Sequence, residues 1–492
     1  MKYVRAVIII LFLSVVLLDS VSAEETLLWQ DCVKEAKGNH PDLLAALEKI
    51  KQVKASKEIT RSAYLPQLNF DASEVTTKNA SFGASGSSVE LVSASSSSGS
   101  SKSNRSTTYQ FEVSAQQLLF DGFKTSFDLS SNERSITASK YNYDVTSSNI
   151  RLRLRTAYAN LLSVQEYVKV AQEIEDRRKK TLELVKLRYE GGREHKGSLM
   201  TSEADLTQAI YDVAQATRNV YLYQRQLTKE LGRLKFDPMT VEGDLDVKDQ
   251  VRMLPNFENI TDTNPLLRQL IAQKEAAQFG LKSAYANFFP QIYANGSAGN
   301  TGTRWFPDKN EYSIGTSITF PIFDGGNRIA TARKANGALG QSQAEERSGR
   351  DSVVFTLANT WTQLQNAVDN VGVQKKVLTA AQERAKIASA EYSIGLLLYD
   401  NWIIIENNLV LAKKAYIVAQ NASLVAEANW VQAKGGTLDD MEGVDYFSSC
   451  SGNYGARDKN AAQTAQGDPQ GDKSGRRKHP VRHKYYRDRP AG

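Results

Sequence analysis

The sequence is poor in the residues from which most catalytic and metal centres are built. Its 492 residues include two cysteines, Cys32 and Cys450, and four histidines, His40, His195, His479 and His483. Cysteines so far apart give no disulfide framework and read as unpaired thiols. No histidines stand at ligand spacing within the periodic part of the chain, and His479 and His483, in the C-terminal tail, are not taken as a metal site. There is no nucleophile elbow, phosphate-cradling glycine loop or Cys/His cluster. The sequence therefore predicts no enzyme, no cofactor and no bound metal. Only 11 prolines occur, and the mean hydropathy is −0.43. That composition suits long helices with narrow apolar stripes better than one thick core. The net charge of +6 is modest and gathers at the C-terminus, so no nucleic-acid partner is expected.

Long apolar runs are equally scarce. The run from Val7 to Leu18 follows Lys2 and Arg5 and precedes Val21-Ser22-Ala23, a small-residue cleavage pattern. It falls short of the ~20 residues a spanning helix needs, so residues 1–23 read as a signal peptide. Nothing later is apolar enough to span a bilayer as a helix. A mature chain that enters a membrane is therefore expected to do so through β-strands.

What the sequence does contain is a repeat. Asp121 and Asp324, Tyr189 and Tyr392, and Gly232 and Gly435 are each 203 residues apart. The first copy opens at Leu119-Phe120-Asp121-Gly122 and turns at Tyr189-Glu190-Gly191-Gly192. The second opens at Ile322-Phe323-Asp324-Gly325 and turns at Tyr392-Ser393-Ile394-Gly395. Three landmarks in register over such a length mark an internal duplication. It extends upstream: Asn39-His40-Pro41 and Asn264-Pro265 start short helices, which Leu65-Pro66-Gln67-Leu68 and Phe289-Pro290-Gln291-Ile292 end. The expected organisation is a first repeat over 24–232 (helix, β-hairpin 65–120, helical hairpin 123–232), an inter-repeat linker over 233–262, and a second repeat over 263–436 (helix, β-hairpin 289–323, helical hairpin 327–435). Residues 437–492, rich in polar residues with a basic cluster near the end, read as a disordered tail.

Within the hairpins, Tyr109, Phe111, Val113 and Ala115 alternate with Gln110, Glu112, Ser114 and Gln116. Tyr312, Ile314, Thr316, Ile318 and Phe320 alternate with small or polar residues. Period-2 alternation puts the apolar set on one face, as lipid outside and water inside a barrel require. The Gly/Ser-rich run from Ser81 to Thr107 reads as a flexible outward loop. In the helices, Ala157, Leu161, Val164, Val168 and Ala171 step by fours and threes, and Leu206, Ile210 and Val213 do so after the turn. Glu175 and Arg178 interrupt this stripe, as either a polar contact between helices or a solvated patch would do; the patch is the favoured reading. The first long helix is expected from Phe123 to Tyr189, with the returning helix about half as long; the short helix starting at Asn264 is expected to stack on its end. Asp121-Gly122 and Asp324-Gly325 read as turn or capping residues at strand-to-helix junctions rather than as catalytic aspartates.

Four strands do not close a barrel, so a membrane-spanning form needs several chains in a ring. In its paired Pro-Gln strand starts, its two Phe-Asp-Gly junctions and its Tyr-x-x-Gly turns, the chain over about residues 26–436 resembles the outer membrane efflux, or TolC-like, family. The resemblance implies a mainly α fold with a membrane β-barrel: a duplicated strand hairpin and long antiparallel coiled-coil hairpin, three copies of which build a 12-stranded β-barrel and a 12-helix α-barrel. It implies a homotrimeric channel in the outer membrane lipid, reaching into the periplasm, with a periplasmic adaptor and an inner-membrane pump of RND or ABC type as partners. It also implies that the turns form a gated tip, with Tyr189, Gly192, His195 and Ser198 in the first and Tyr392, Gly395, Asp400 and Asn401 in the second. The family often carries a carboxylate six residues after the turn glycine; here Ser198 and Asn401 hold those places. Asp400, one residue earlier, either lines the constriction or caps the returning helix. A periplasmic coiled-coil adaptor is the alternative reading, but it would have one helical hairpin rather than two.

Overall fold

A computed structural model describes residues 25–79, 104–245 and 254–442. The expected signal peptide, most of the Gly/Ser-rich run, the middle of the linker, and the tail beyond residue 442 with Cys450, His479 and His483 lie outside the described residues. The chain opens with β1 (Glu25–Leu27) and α1 (Trp29–Asn39). The first repeat continues as α2 (Pro41–Ser62), β2 (Gln67–Asn79), β3 (Asn104–Phe120), α3 (Lys124–Glu190) and α4 (Lys196–Leu231). After β4 (Met239–Val241) and α5 (Phe257–Thr263) come α6 (Pro265–Ala286), β5 (Gln291–Gly302), β6 (Lys309–Thr319), α7 (Asn327–Ser393) and α8 (Tyr399–Ala433). The duplication is exact in the long helices: α3 and α7 have 67 residues each, on the order of 100 Å at 1.5 Å per residue.

Strands β2, β3, β5 and β6 form one antiparallel sheet in that order. Register follows the alternation. Phe70 lies opposite Val113, Val113 opposite Ala298, and Ala298 opposite Tyr312, so one face carries an apolar row across all four strands. The other carries Asp71, Glu112, Gly299 and Glu311 in one row, with Ser297 and Ser313 hydrogen-bonded at 3.0 Å in the next. Residues 104–107, expected in the loop, instead extend β3. Each strand pair feeds a long helix through an Asp-Gly step. Gly122 and Gly325 take left-handed φ of 69° and 66°, and Phe123 and Gly326 are the capping residues. The aspartates satisfy the first helical amides from two residues upstream of the caps: Asp121 Oδ2 accepts the Thr125 amide at 2.8 Å and Asp324 Oδ2 that of Arg328 at 3.0 Å.

The helices lie side by side. α3 packs on α2 and α4 along one side and on α6 and α8 along the other, and α7 covers α6 and α8. Each short helix abuts the returning helix of its own repeat. A Cβ on Gly232 would strike the Asn39 backbone at the start of α2, and one on Gly435 would strike the Pro265 ring at the start of α6. The stacking of α6 on α4 expected above is therefore corrected: sequence shows that a short helix must fill the missing length, but not which of two equivalent ones does. Around the middle, β1 pairs in parallel with β4, and Leu27, Val33, Leu161, Leu227, Val241 and Leu438 share a core. Two stretches read as featureless are thus structured: the linker supplies β4 and α5, and the start of the expected tail forms a short 3-10 helix, Leu438–Glu442, with Leu438 buried. Apolar residues inside polar stretches escape periodicity because one residue has no period.

The solvated patch expected at Glu175 and Arg178 is also corrected. Arg178 is buried, lies 3.6 Å from Asp205 of α4 and donates to Asn407 of α8. Beside it, Arg177 grips the buried Glu406 carboxylate at 2.6 and 2.9 Å. Only Glu175 stays on its own helix, 2.8 Å from Lys179. Lys413–Glu173 and Arg155–Glu427 continue the ion pairs between α3 and α8. A heptad reading assigns polar breaks to solvent because it sees one helix pair; α3 has neighbours on both sides.

Candidate functional site: the helical tip

The ends of the two hairpins come together. α3 and α7 stop in the same way: the Arg193 amide bonds back to the Arg188 carbonyl at 2.8 Å and that of Leu396 to the Glu391 carbonyl at 2.9 Å. Gly192 and Gly395 hold the left-handed residue this closure needs, at φ 68° and 84°. A core cluster then forms across the hairpins from Val185, Ala388, Tyr392, Tyr399, Trp402 and Ile403.

Tyr392 is its centre. Fully buried, its ring stacks on Trp402 at 4.1 Å between centroids, and the Arg188 guanidinium lies 4.5 Å over it while donating to its carbonyl. Its hydroxyl donates to Glu194 Oε2 at 3.0 Å. Burial, and then the neighbouring Glu194 carboxylate, push the Tyr392 phenol well above its usual range, so it is a permanent donor. Burial likewise raises Tyr399, whose hydroxyl lies 2.9 Å from Ser202 Oγ of α4. Further up, the hydrogen bonds that Arg177 donates to Glu406 raise its guanidinium above its usual value.

The other residues singled out from sequence divide clearly. Ser198 is buried; its amide donates to His195 Nδ1 at 3.3 Å and its hydroxyl to Glu194 Oε1 at 2.9 Å. His195 is the exposed capping residue of α4. Tyr189 is partly exposed and stays outside the cluster. Asp400 and Asn401 are exposed in the first turn of α8, whose capping residue is Leu398, without a side-chain hydrogen bond. The carboxylate therefore does not cap. It contributes negative charge at the helix start and points away from the protein core. Sequence reading missed Arg188, Glu194 and Trp402, and the pairing of Glu406. Glu406 had a signal: it is the lone carboxylate in the apolar run Trp402-Ile403-Ile404-Ile405, and a buried charge demands a partner.

Among the described residues no group of side chains is arranged to hold a metal ion, and no helix is long and apolar enough to cross a membrane. The features are those of a four-stranded sheet continued by long helical hairpins whose ends pack together, and sequence comparison agrees. The profile of outer membrane efflux proteins matches residues 32–233 and 257–436, and the chain belongs to that family. It is 22% identical over 346 residues to the outer membrane efflux protein BepC of Brucella suis, covering 69% of this chain and 74% of BepC. It is 24% identical over 325 residues to the alkaline protease secretion protein AprF of Pseudomonas aeruginosa, covering 62% of this chain and 63% of AprF. The open state of the Neisseria gonorrhoeae MtrE outer membrane channel superposes with a TM-score of 0.70 at 20% identity, covering 84% of this chain and 89% of MtrE. The protein is an outer-membrane efflux channel extending into the periplasm, of a family of passive conduits rather than enzymes.

Proposed function

We propose that three copies of this chain form one duct, which takes cargo from a periplasmic adaptor and an inner-membrane pump of RND or ABC type and releases it outside the cell. The observation that carries this reading is the open sheet. Among the described residues its four strands leave β2 and β6 unpaired at the edges, and an exposed edge calls for another strand. On β6 the apolar residues Tyr312, Ile314 and Ile318 are 86%, 91% and 70% exposed, a face suited to lipid. The helical layer has two open edges as well. Exposed Ile59, Met200 and Tyr221 on α2 and α4 lie at one, and Phe355, Val373 and Ile387 on α7 at the other. Joining edge to edge in a ring satisfies both layers at once, and three copies give the strand number a membrane barrel needs.

The two turns form the resting constriction in this reading, with Tyr392 and Gly395 holding the second turn and Gly192, His195 and Ser198 the first. Asp400 and Asn401 line the passage. The names of BepC and AprF point to different cargo, efflux in one and protease secretion in the other; this chain shares the conduit rather than a cargo site. Single-particle images of the detergent-solubilised protein should show three-fold symmetry with a long helical extension. Monomers with an open sheet, or a ring of another order, would overturn the assembly.

A further inference from the structure

We propose that protonation of His195 loosens the contact between the two turns, so that the tip opens more readily in acid. This rests on reading the tip as the closed end of the duct. The hydrogen bonds run as a chain. His195 Nδ1 accepts the Ser198 amide, so that nitrogen carries a lone pair and the ring is neutral. Its Nε2 lies 3.1 Å from Ser198 Oγ, which donates its own proton to Glu194 Oε1 and receives the Nε2 proton in return. Glu194 Oε2 accepts from Tyr392 of the other hairpin. The first turn's helix cap and the contact between hairpins therefore share one carboxylate. The imidazole also lies close over Gly197, where a Cβ would sit 2.9 Å from Nδ1.

A proton added at Nδ1 puts two donors face to face, His195 against the Ser198 amide. The ring must turn away and α4 loses its cap. An imidazolium at a helix N-terminus is also repelled by the helix dipole. The charged and titratable groups of the two turns set where it goes. Arg188 and Glu190 end α3, Arg193, Glu194 and Lys196 sit on the first turn, and Glu391, Tyr392, Tyr399 and Asp400 belong to the second hairpin. Glu194 is the carboxylate already bonded to the His195 backbone amide, at 3.4 Å, and to Ser198. Pairing with the imidazolium draws it from the Tyr392 hydroxyl. The neutral ring keeps the turns joined, and the joint weakens when the ring takes up a proton.

Two readouts test this on the intact trimer. Hydrogen exchange, corrected for intrinsic rates, should show protection at residues 197–200 falling about fivefold between pH 8 and 5.5, as the loss of one N-cap would produce. Bilayer conductance should rise several-fold over the same change. In His195→Asn, which caps but does not titrate, both should be flat; in Glu194→Gln, which still accepts from Tyr392 but cannot pair with an imidazolium, the conductance rise should shrink. Helicity and trimer content confirm that each variant folds. Protection that is unchanged in the native protein, or falls equally in His195→Asn, overturns the switch. Protection that falls only with His195 present while conductance stays flat overturns the gate reading instead.

Discussion

At the scale of single residues, the same side chain type carries opposite consequences according to what faces it. Asp400 is exposed and does not cap its helix; in the constriction proposed above, three such carboxylates around an axis would attract cations. Asp400→Ala should weaken block by multivalent cations in single-channel recordings and leave trimer stability unchanged; unaltered block would remove Asp400 from the constriction. Asp144 on α3 is half-buried near Asp439 and Asp440, and burial, then those two charges, push its carboxyl up to about 6. A carboxylate raised in the folded state binds more protons there than in the unfolded chain. Stability therefore falls as pH rises from the ordinary aspartate value near 4 through about 6, and the loss is complete above it. Asp144→Asn should raise the melting temperature at pH 8 and have no such effect below pH 4. An equal rise at both would mean that packing rather than charge is responsible.

Elements turn these local preferences into surfaces. A strand offers two faces, and β6 assigns them by alternation alone: Tyr312, Ile314 and Ile318 on one, Glu311, Ser313 and Ser317 on the other. Arginine at Ile314 or Ile318 should lower membrane insertion of the barrel, since a charge near the bilayer midplane costs roughly 2–4 kcal/mol. Arginine at Ser313 or Ser317 should be tolerated, because those positions face water. Heat-resistant trimer yield after folding into lipid measures both, and equal defects would mean the faces are exchanged. The long helices behave differently, since α3 has neighbours along both sides.

In the whole molecule, the two repeats meet along α3, which packs on both α6 and α8, and charged pairs bridge α3 to α8 above the apolar cluster at the tip. Arg177–Glu406 is the most buried of these pairs, with the Glu406 side chain 2% exposed. Arg177→Met strands that carboxylate and should cost on the order of 3 kcal/mol. Replacing both residues with methionine should restore most of it, because an apolar pair of similar volume needs no desolvation. Guanidinium denaturation of the three variants decides the matter. Similar losses in the single and double variants would mean that the pair itself, and not its broken half, supplies the stability.

What the sequence determines by itself is whatever repeats or alternates. The duplication, the two hairpins, the 67-residue helices and the two faces of each strand all follow from period and register, which are local. The positions of the tip residues follow too, because Tyr189 and Tyr392 sit at the ends of those periods. Tertiary structure alone decides which residues meet across 200 positions of chain. It takes Tyr392 into the core while leaving Tyr189 partly exposed, because only the second turn faces Trp402 and Arg188. It buries Ser198 under His195 and leaves Asp400 exposed, although both stand just after a turn. It turns Arg178 of the expected polar break, with its neighbour Arg177, into a joint between repeats. The reason is common to all three: burial of a polar group is settled by the partner opposite, and a single strand of sequence does not contain the partner's position.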